Sequence, residues 1–313
     1  MIRTICPWLF AILAVGIAIG AVLPPALPFA DALATLVPAG PAIALVGVLF
    51  GGRSAASALA LVAALACSTV VGREYLGGPA PGRDGHAMIV VTHNVSSENV
   101  DPQATVAALA DSGADVLLLQ ETDGRLTPHL DALRPRYPYG HTCRGRCSMA
   151  IVSRWPLDRV RWRFHDAAGK AYGPALYTTI VHLPWGGEAR LATVHLSRKD
   201  TGPARELHRS ELADAVQRAG TTSTVLAGDF NLTPWGSAMR ALDDDMRPMV
   251  RVTRAMFSFP ARWQQRSAPM PLIPIDHLYA GPAWAVASVQ RLPKTGSDHY
   301  PIRVKLLWRR RGV

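Results

Sequence analysis

In the stretch "LAGDFNLTPWGS" (226–237), Asp229 and Asn231 stand one residue apart where an apolar run ends. On extended backbone, alternate side chains share a face, so an acid and an amide at this spacing can grip one object together. The same arrangement recurs along the chain: His93 and Asn94 follow "IVV", Glu121 follows "VLLLQ", His195 follows "LATV", Asp276 and His277 follow "IPI", and Asp298 and His299 follow a Gly-Ser turn. Residues of these types suit metal and phosphate chemistry, in which oxygen donors hold a hard cation and imidazoles carry protons or offset charge. Singly, each also has an ordinary structural use. Glu121 can stabilise a helix dipole, His195 can be a satisfied strand histidine, Asp276 can form a turn and Asn94 can cap a loop. As a set they point to a site, because carboxylates at the ends of buried strands are costly unless something uses their charge.

The elements that must carry these residues are mostly strands. "AMIVVTHNV", beginning at Ala87, reads as a short β-branched strand, and Val116–Leu119 as a strand buried on both faces because its apolar run does not alternate. "SMAIVSRWPL" supplies another strand. "ALYTTIVHL" and "ARLATVHLSRK" form a pair joined by the Pro-Trp-Gly-Gly turn at 184–187. "STVLAGDFN", "IPIDHLYA" and "SVQRLPKTGSDHYPIRVKLL" follow, the last alternating Ile302, Val304, Leu306. Helices are expected over 102–112, started by Asp101 and Pro102, and over 203–219, with Leu207, Leu212, Ala215 and Val216 on one face. About ten strands with few helices between them argue for an α/β fold of two sheets packed face to face and flanked by helices. No internal repeat or low-complexity tract interrupts this region.

Hydrophobic residues make up 49% of the 313, and the excess lies at the N-terminus. Residues 4–23, 32–50 and 54–72 carry no formal charge, and about 20 apolar residues span a bilayer as a helix, so three transmembrane helices are expected in an anchor over 1–72. Pro38 and Pro41 interrupt the middle segment, which could instead be a broken or re-entrant helix. Arg3 and Arg53 favour the cytoplasm and Asp31 the outside, which puts everything after Gly72 outside; Arg73 then lies against this tendency. Residues 73–86, rich in Gly and Pro, read as a linker to a domain over 87–313.

The formal charge is +10, of which +9 falls on residues 73–313. A basic domain held at a membrane is drawn to anionic head groups or phosphate-bearing substrates, and nucleic acid would satisfy the same charge. Cys6 and Cys67 lie in apolar segments; Cys143 and Cys147, four apart, suit a disulfide in an oxidising compartment, with a zinc pair as the alternative.

The ordered set "HNV" (93–95), "QE" (120–121), "VHL" (194–196), "GDFN" (228–231), "IDH" (275–277) and "SDH" (297–299) resembles the endonuclease/exonuclease/phosphatase superfamily, in particular its membrane-anchored bacterial members. The resemblance implies a four-layer α/β sandwich that binds Mg²⁺ or Mn²⁺ and hydrolyses a phosphoester or phosphoanhydride. By it, Glu121 is the main metal ligand, with Asn94 and Asp298. His299 sits by the scissile phosphorus, oriented by Asp276; Asp229 handles the attacking water; Asn231 hydrogen-bonds a phosphate oxygen; His195 stabilises developing charge. Ser96 and Ser97 stand where abasic-site nucleases of the family often carry an acid, and the segment from Glu121 to Ser148 leaves little room for DNA-gripping loops. The substrate expected is therefore a lipid-linked phosphate or pyrophosphate at the outer membrane surface, with an extracytoplasmic nuclease as the alternative.

Overall fold

The computed structural model describes residues 2–27, 29–142, 148–158, 160–165 and 171–309. The Cys143 and Cys147 pair, with Arg144 and Arg146, lies outside them. The chain divides into two units: one comprises Met1–Gly78, Arg198–Arg209 and Leu232–Asp245, the other Pro79–Ser197, Ser210–Asn231 and Met246–Val313. Two stretches expected in the second domain thus group with the N-terminal helices.

In the helical unit, α1 (Ile2–Gly20) is followed by the short α2 (Ala30–Thr35), a 3₁₀ turn (Val37–Ala39), α3 (Gly40–Gly51) and α4 (Ala55–Leu76). The middle apolar segment is therefore not one continuous helix. Pro38 and Pro41 lack the N–H that would carry α2 forward, and each instead opens a new helical stretch. At about 1.5 Å per residue α3 rises roughly 18 Å, short of the ~30 Å hydrocarbon layer. Of the described helices, α4 is the one long and apolar enough to cross a membrane, while the apolar stretches Cys6–Gly20 and Val37–Gly51 are shorter. Ser54 caps α4, its hydroxyl accepting from Ser57 N at 3.3 Å.

The second unit holds two mixed six-stranded sheets. The first is built from β1 (His86–Asn94), β2 (Val116–Gln120), β3 (Tyr139–Thr142), β4 (Met149–Ser153), β13 (Trp284–Arg291) and β14 (Ile302–Trp308), in the order β13-β14-β1-β2-β4-β3. The second is built from β5 (Arg161–His165), β6 (Ala171–His182), β7 (Glu188–His195), β8 (Val225–Asp229), β9 (Val250–Arg251) and β12 (Asp276–Ala280), in the order β5-β6-β7-β8-β12-β9; β10 (Arg262–Trp263) and β11 (Arg266–Ser267) form a separate ribbon. Each sheet has one parallel pair of neighbours made by a helical crossover: α5 (Pro102–Ala110) joins β1 to β2, and α6 (Gly202–Ala219) joins β7 to β8. A last helix, α7 (Ser237–Asp245), belongs to the helical unit.

Alternate residues of the central strands feed two cores. Met88, Val90, Val116 and Leu118 point into the cluster shared with Leu191, Val225, Ala227 and Leu278 of the second sheet. Val91, Leu117 and Leu119 join a cluster with Val106 and Leu109 of α5 and with Leu126 and Leu130 of the 3₁₀ segment Gly124–Leu133. That double burial explains the unalternating apolar run of β2, each such side chain contributing roughly 1.5–3 kcal/mol. Asp101 caps α5 as expected, accepting from Ala104 N at 3.0 Å. On α6, Leu212, Ala215 and Val216 are buried but Leu207 is exposed. Leu207 is nine residues from Val216, about half a turn away around a helix of ~3.6 residues per turn.

Candidate active site

Strand register alone assembles most of the site. His195 is the parallel partner of Asp229, and Asp276 is its antiparallel partner, so three functional side chains stand in a row across β7, β8 and β12. In the other sheet Asn94 is partnered with Gln120, which brings Glu121 beside it. The two rows meet: Asn94 Nδ2 donates to Glu121 Oε1 at 2.9 Å and to Asp229 Oδ2 at 3.1 Å. Beneath them Gln120 Nε2 donates to Thr193 Oγ1 at 2.7 Å and Thr92 Oγ1 at 3.3 Å, a polar strut between the sheets. The close approach of β7 and β8 requires Gly228, where a Cβ would collide with the Val194 carbonyl oxygen.

Glu121 and Asn231, neither a glycine, hold left-handed backbone at φ 55° and 49°. Such strain persists where surrounding bonds over-determine it, and here they do. Ser97 N donates to Glu121 Oε2 at 3.1 Å, and Asn231 N turns back to Asp229 Oδ1 at 2.9 Å. His299 arrives from the loop before β14: Ser297 Oγ donates to Asn94 O at 2.7 Å and accepts from His299 N at 3.0 Å. His299 Nδ1 then lies 2.8 Å from Asp276 Oδ2, and its Nε2 lies 3.8 Å from Asp229 Oδ2. His195 Nε2 is 3.7 Å from both Glu121 Oε1 and Asp229 Oδ2.

Burial by itself would lower the pKa of His299, but the charges of Asp276 and Asp229 and the Asp276 hydrogen bond push it up to about 10. It is an imidazolium at neutral pH. Burial likewise opposes ionisation of Glu121, yet the Asn94 hydrogen bond, the nearby His195 and the Ser97 N–H hold its carboxyl below the usual range. Asp229 is raised, chiefly by burial, while in Asp276 the His299 charge overcomes burial and lowers it. The neighbouring His93, fully buried with Nε2 3.2 Å from His299 O, falls to about 4 and is neutral.

A profile of the endonuclease/exonuclease/phosphatase family matches residues 91–299, a span that contains every one of these side chains. The chain belongs to that family. No curated protein sequence matches the chain. Among solved structures it is similar to an endonuclease/exonuclease/phosphatase from Beutenbergia cavernae (18% identity, TM-score 0.56, covering 71% of this chain and 72% of that one). It is also similar to Danio rerio TDP2 complexed with a single-strand DNA product (15%, TM-score 0.56, 70% and 98%) and to sphingomyelinase C from Streptomyces griseocarneus (16%, TM-score 0.51, 70% and 99%). Members of the family are phosphoester hydrolases that generally depend on a divalent metal, and this chain is a hydrolase of that type.

The donors fit a hard cation. Among the described residues Asp229, Asp276 and His299 place three potential ligand atoms within 4.8 Å of one another, but a protonated His299 has no lone pair to offer a metal. Glu121 is the better seat: ionised, with 30% of its side chain exposed, and able to present oxygen to an ion such as Mg²⁺ that keeps several waters. Asn94 stands beside it, but with its amide nitrogen toward Glu121 and its oxygen accepting from Ser96 N at 3.0 Å, so ligation by Asn94 requires the amide to turn. Asp298 lies close enough to His299 to raise its pKa; none of the described hydrogen bonds or ion pairs joins the Asp298 carboxylate to Glu121 or Asn94.

Asn231 departs from its expected use. In this structure its amide nitrogen donates to Leu196 O at 2.8 Å and to Asp229 Oδ2 at 3.2 Å, which orients Asp229, so donation to a phosphate requires one of these bonds to be exchanged. Ser97, Ser297 and Thr193 were not legible as site residues. Each acts through a backbone or cross-sheet bond that has no sequence period.

Proposed function

We propose that the chain is a membrane-tethered, Mg²⁺- or Mn²⁺-dependent phosphoesterase that hydrolyses a lipid-linked phosphate or pyrophosphate outside the cytoplasm. The observation that carries the lipid reading is the inverted packing of the helical unit. Its interior is a seam of small residues, Ala11, Ala14, Ala44, Ala56, Ala60 and Ala63, while Leu49, Leu65 and Val62 face outward, Leu49 being 74% exposed. Small residues inside and large apolar ones outside suit a bundle solvated by lipid rather than water.

Helix directions support the orientation. A Cβ on Gly40 would meet Ile17 and Cys67, one on Gly47 would meet Phe10, and one on Gly51 would meet Pro7 and Ser57, so α3 runs antiparallel to both α1 and α4. Arg3 and Arg53 then share one end and Asp31 and Arg73 the other. Three passages, the middle one a short Val37–Gly51 that thins the local bilayer, leave Arg3 and Arg53 in the cytoplasm and the Asp31 end outside.

At the site, Glu121 would hold the divalent ion, which when bound would supply positive charge to offset that of the phosphate. His299, charged and aimed by Asp276, donates to a phosphate oxygen. Asp229, its pKa raised by burial and its geometry fixed by Asn94 and Asn231, takes the proton of the attacking water. His195, beside both Glu121 and Asp229, faces the oxygen on which charge develops. The test is Mg²⁺-dependent phosphate release from a long-chain prenyl pyrophosphate by the detergent-purified full-length protein, with His299→Ala as control. Release that disappears in the variant and with chelator supports the reading. A protein that binds Mg²⁺, releases no phosphate and nicks plasmid DNA would instead be a nuclease.

A further inference from the structure

Three residues after His195 the chain reaches Arg198, and one residue after Asn231 it reaches Leu232, the two points at which it enters the helical unit. Within that unit two arginines use the same device. Arg205, 9% exposed, pairs through Nη1 with Asp31 Oδ2 of α2 at 2.9 Å, while its Nε donates to Asp200 O at 2.6 Å and its Nη2 to Arg198 O at 3.3 Å. One guanidinium thus joins the anchor to two carbonyls of the segment that follows His195. Arg240 of α7 donates through Nη1 to Trp235 O at 2.7 Å and through Nη2 to Ala21 O, just past the end of α1. It joins the anchor to the segment that follows Asn231. That segment also approaches α2 closely, since a Cβ on Gly236 would stand 3.2 Å from Asp31 Oδ1 and 3.6 Å from Ala34 Cβ. In the other unit the roots of the two segments are bonded together, Asn231 Nδ2 to Leu196 O, one bond away from Asp229.

We infer that Arg205, seated on Asp31, is a positioning residue: it holds the carbonyls of Arg198 and Asp200, the backbone that follows Leu196, and so the hydrogen bond from Asn231 to Leu196 that aims Asp229. A passive tether needs no such contacts. A flexible linker would confine the enzyme to the membrane equally well, whereas a guanidinium fixed to Asp31 and to the carbonyls of Asp200 and Arg198 restricts the backbone that follows His195. The inference rests on the phosphoesterase reading, though not on the identity of the substrate.

It is tested with the full-length protein in detergent on a soluble diester, bis(4-nitrophenyl) phosphate, together with hydrogen–deuterium exchange. Asp31→Asn and Arg205→Met each lower kcat about tenfold with KM unchanged, the double variant is no worse than either single one, and Asp31→Glu recovers most of the loss. Exchange quickens in residues 196–202 and 232–236, while β1, β2 and α4 keep wild-type protection. Single variants with wild-type kcat and wild-type exchange overturn the inference, as does a uniform rise in exchange, which would mean general unfolding. Should the wild type cleave the soluble ester but no lipid pyrophosphate, the substrate assignment fails and the positioning role stands. Should it cleave neither, the phosphoesterase reading fails and the positioning role of Arg205 with it, whatever the exchange at 196–202 shows.

Discussion

Asp276→Asn isolates the electrostatic part of the site with little change of shape. His299 is held charged by Asp276 at 2.8 Å and, more weakly, by Asp229 at 3.8 Å, against a burial that favours the neutral ring. Two unit charges ~4 Å apart interact by about 4 kcal/mol at an effective dielectric of ~20, whereas the neutral hydrogen bond that asparagine can still accept contributes roughly 1 kcal/mol. The charge decides the outcome. About 4 kcal/mol corresponds to roughly three pKa units, so without it the His299 pKa drops from about 10 to about 7. At pH ~8 the protonated share then falls from about 99% to about 9%, a loss of roughly tenfold in a rate that needs the imidazolium. The sign follows from the direction of the shift: a raised pKa keeps the donor protonated up to the shifted value, so the wild type holds its rate until about pH 10, while the variant loses about tenfold per unit above ~7 and recovers on acidification. Initial rates on bis(4-nitrophenyl) phosphate across about pH 5.5–10 measure this. An alkaline limb in the same place for both proteins would refute the assignment of His299 as a charged donor.

Two further outcomes are expected. Glu121→Gln keeps an acceptor for one of its two donors, Asn94 Nδ2 or Ser97 N, and turns an amide nitrogen to the other, a loss the fold tolerates, but calorimetric titration with Mn²⁺ shows affinity weakened roughly 100-fold; unchanged affinity would move the metal seat elsewhere. Gly228→Ala drives a methyl into the Val194 carbonyl, backbone that cannot yield without parting β7 from β8, and lowers stability by about 3 kcal/mol, seen as a fall of roughly 6–12 °C in Tm.

What the sequence discloses and what it hides divide along a physical line. The apolar runs that end in His93–Asn94, Glu121, His195, Asp229 and Asp276 report burial directly, and register then carries those ends to one place: β7, β8 and β12 set His195, Asp229 and Asp276 side by side with no further instruction. The orientation of the polar groups has no such local cause. Asn231 faces Asp229 because a carbonyl 35 residues away accepts its other hydrogen, and Asn94 turns its nitrogen to Glu121 because Ser96 N claims its oxygen. Composition likewise discloses that the N-terminus is apolar, and Pro38 and Pro41 mark the break in the middle segment. It is silent on the Arg205–Asp31 pair, whose members are 174 residues apart and have neighbours unremarkable in either place. Periodicity records which face of an element is dry, while a hydrogen bond between distant segments records only where folding happens to bring two groups. The residues that perform the proposed chemistry therefore lie at strand ends, where a pattern stops and can be seen to stop, and the residues that aim them lie wherever the fold supplies a partner.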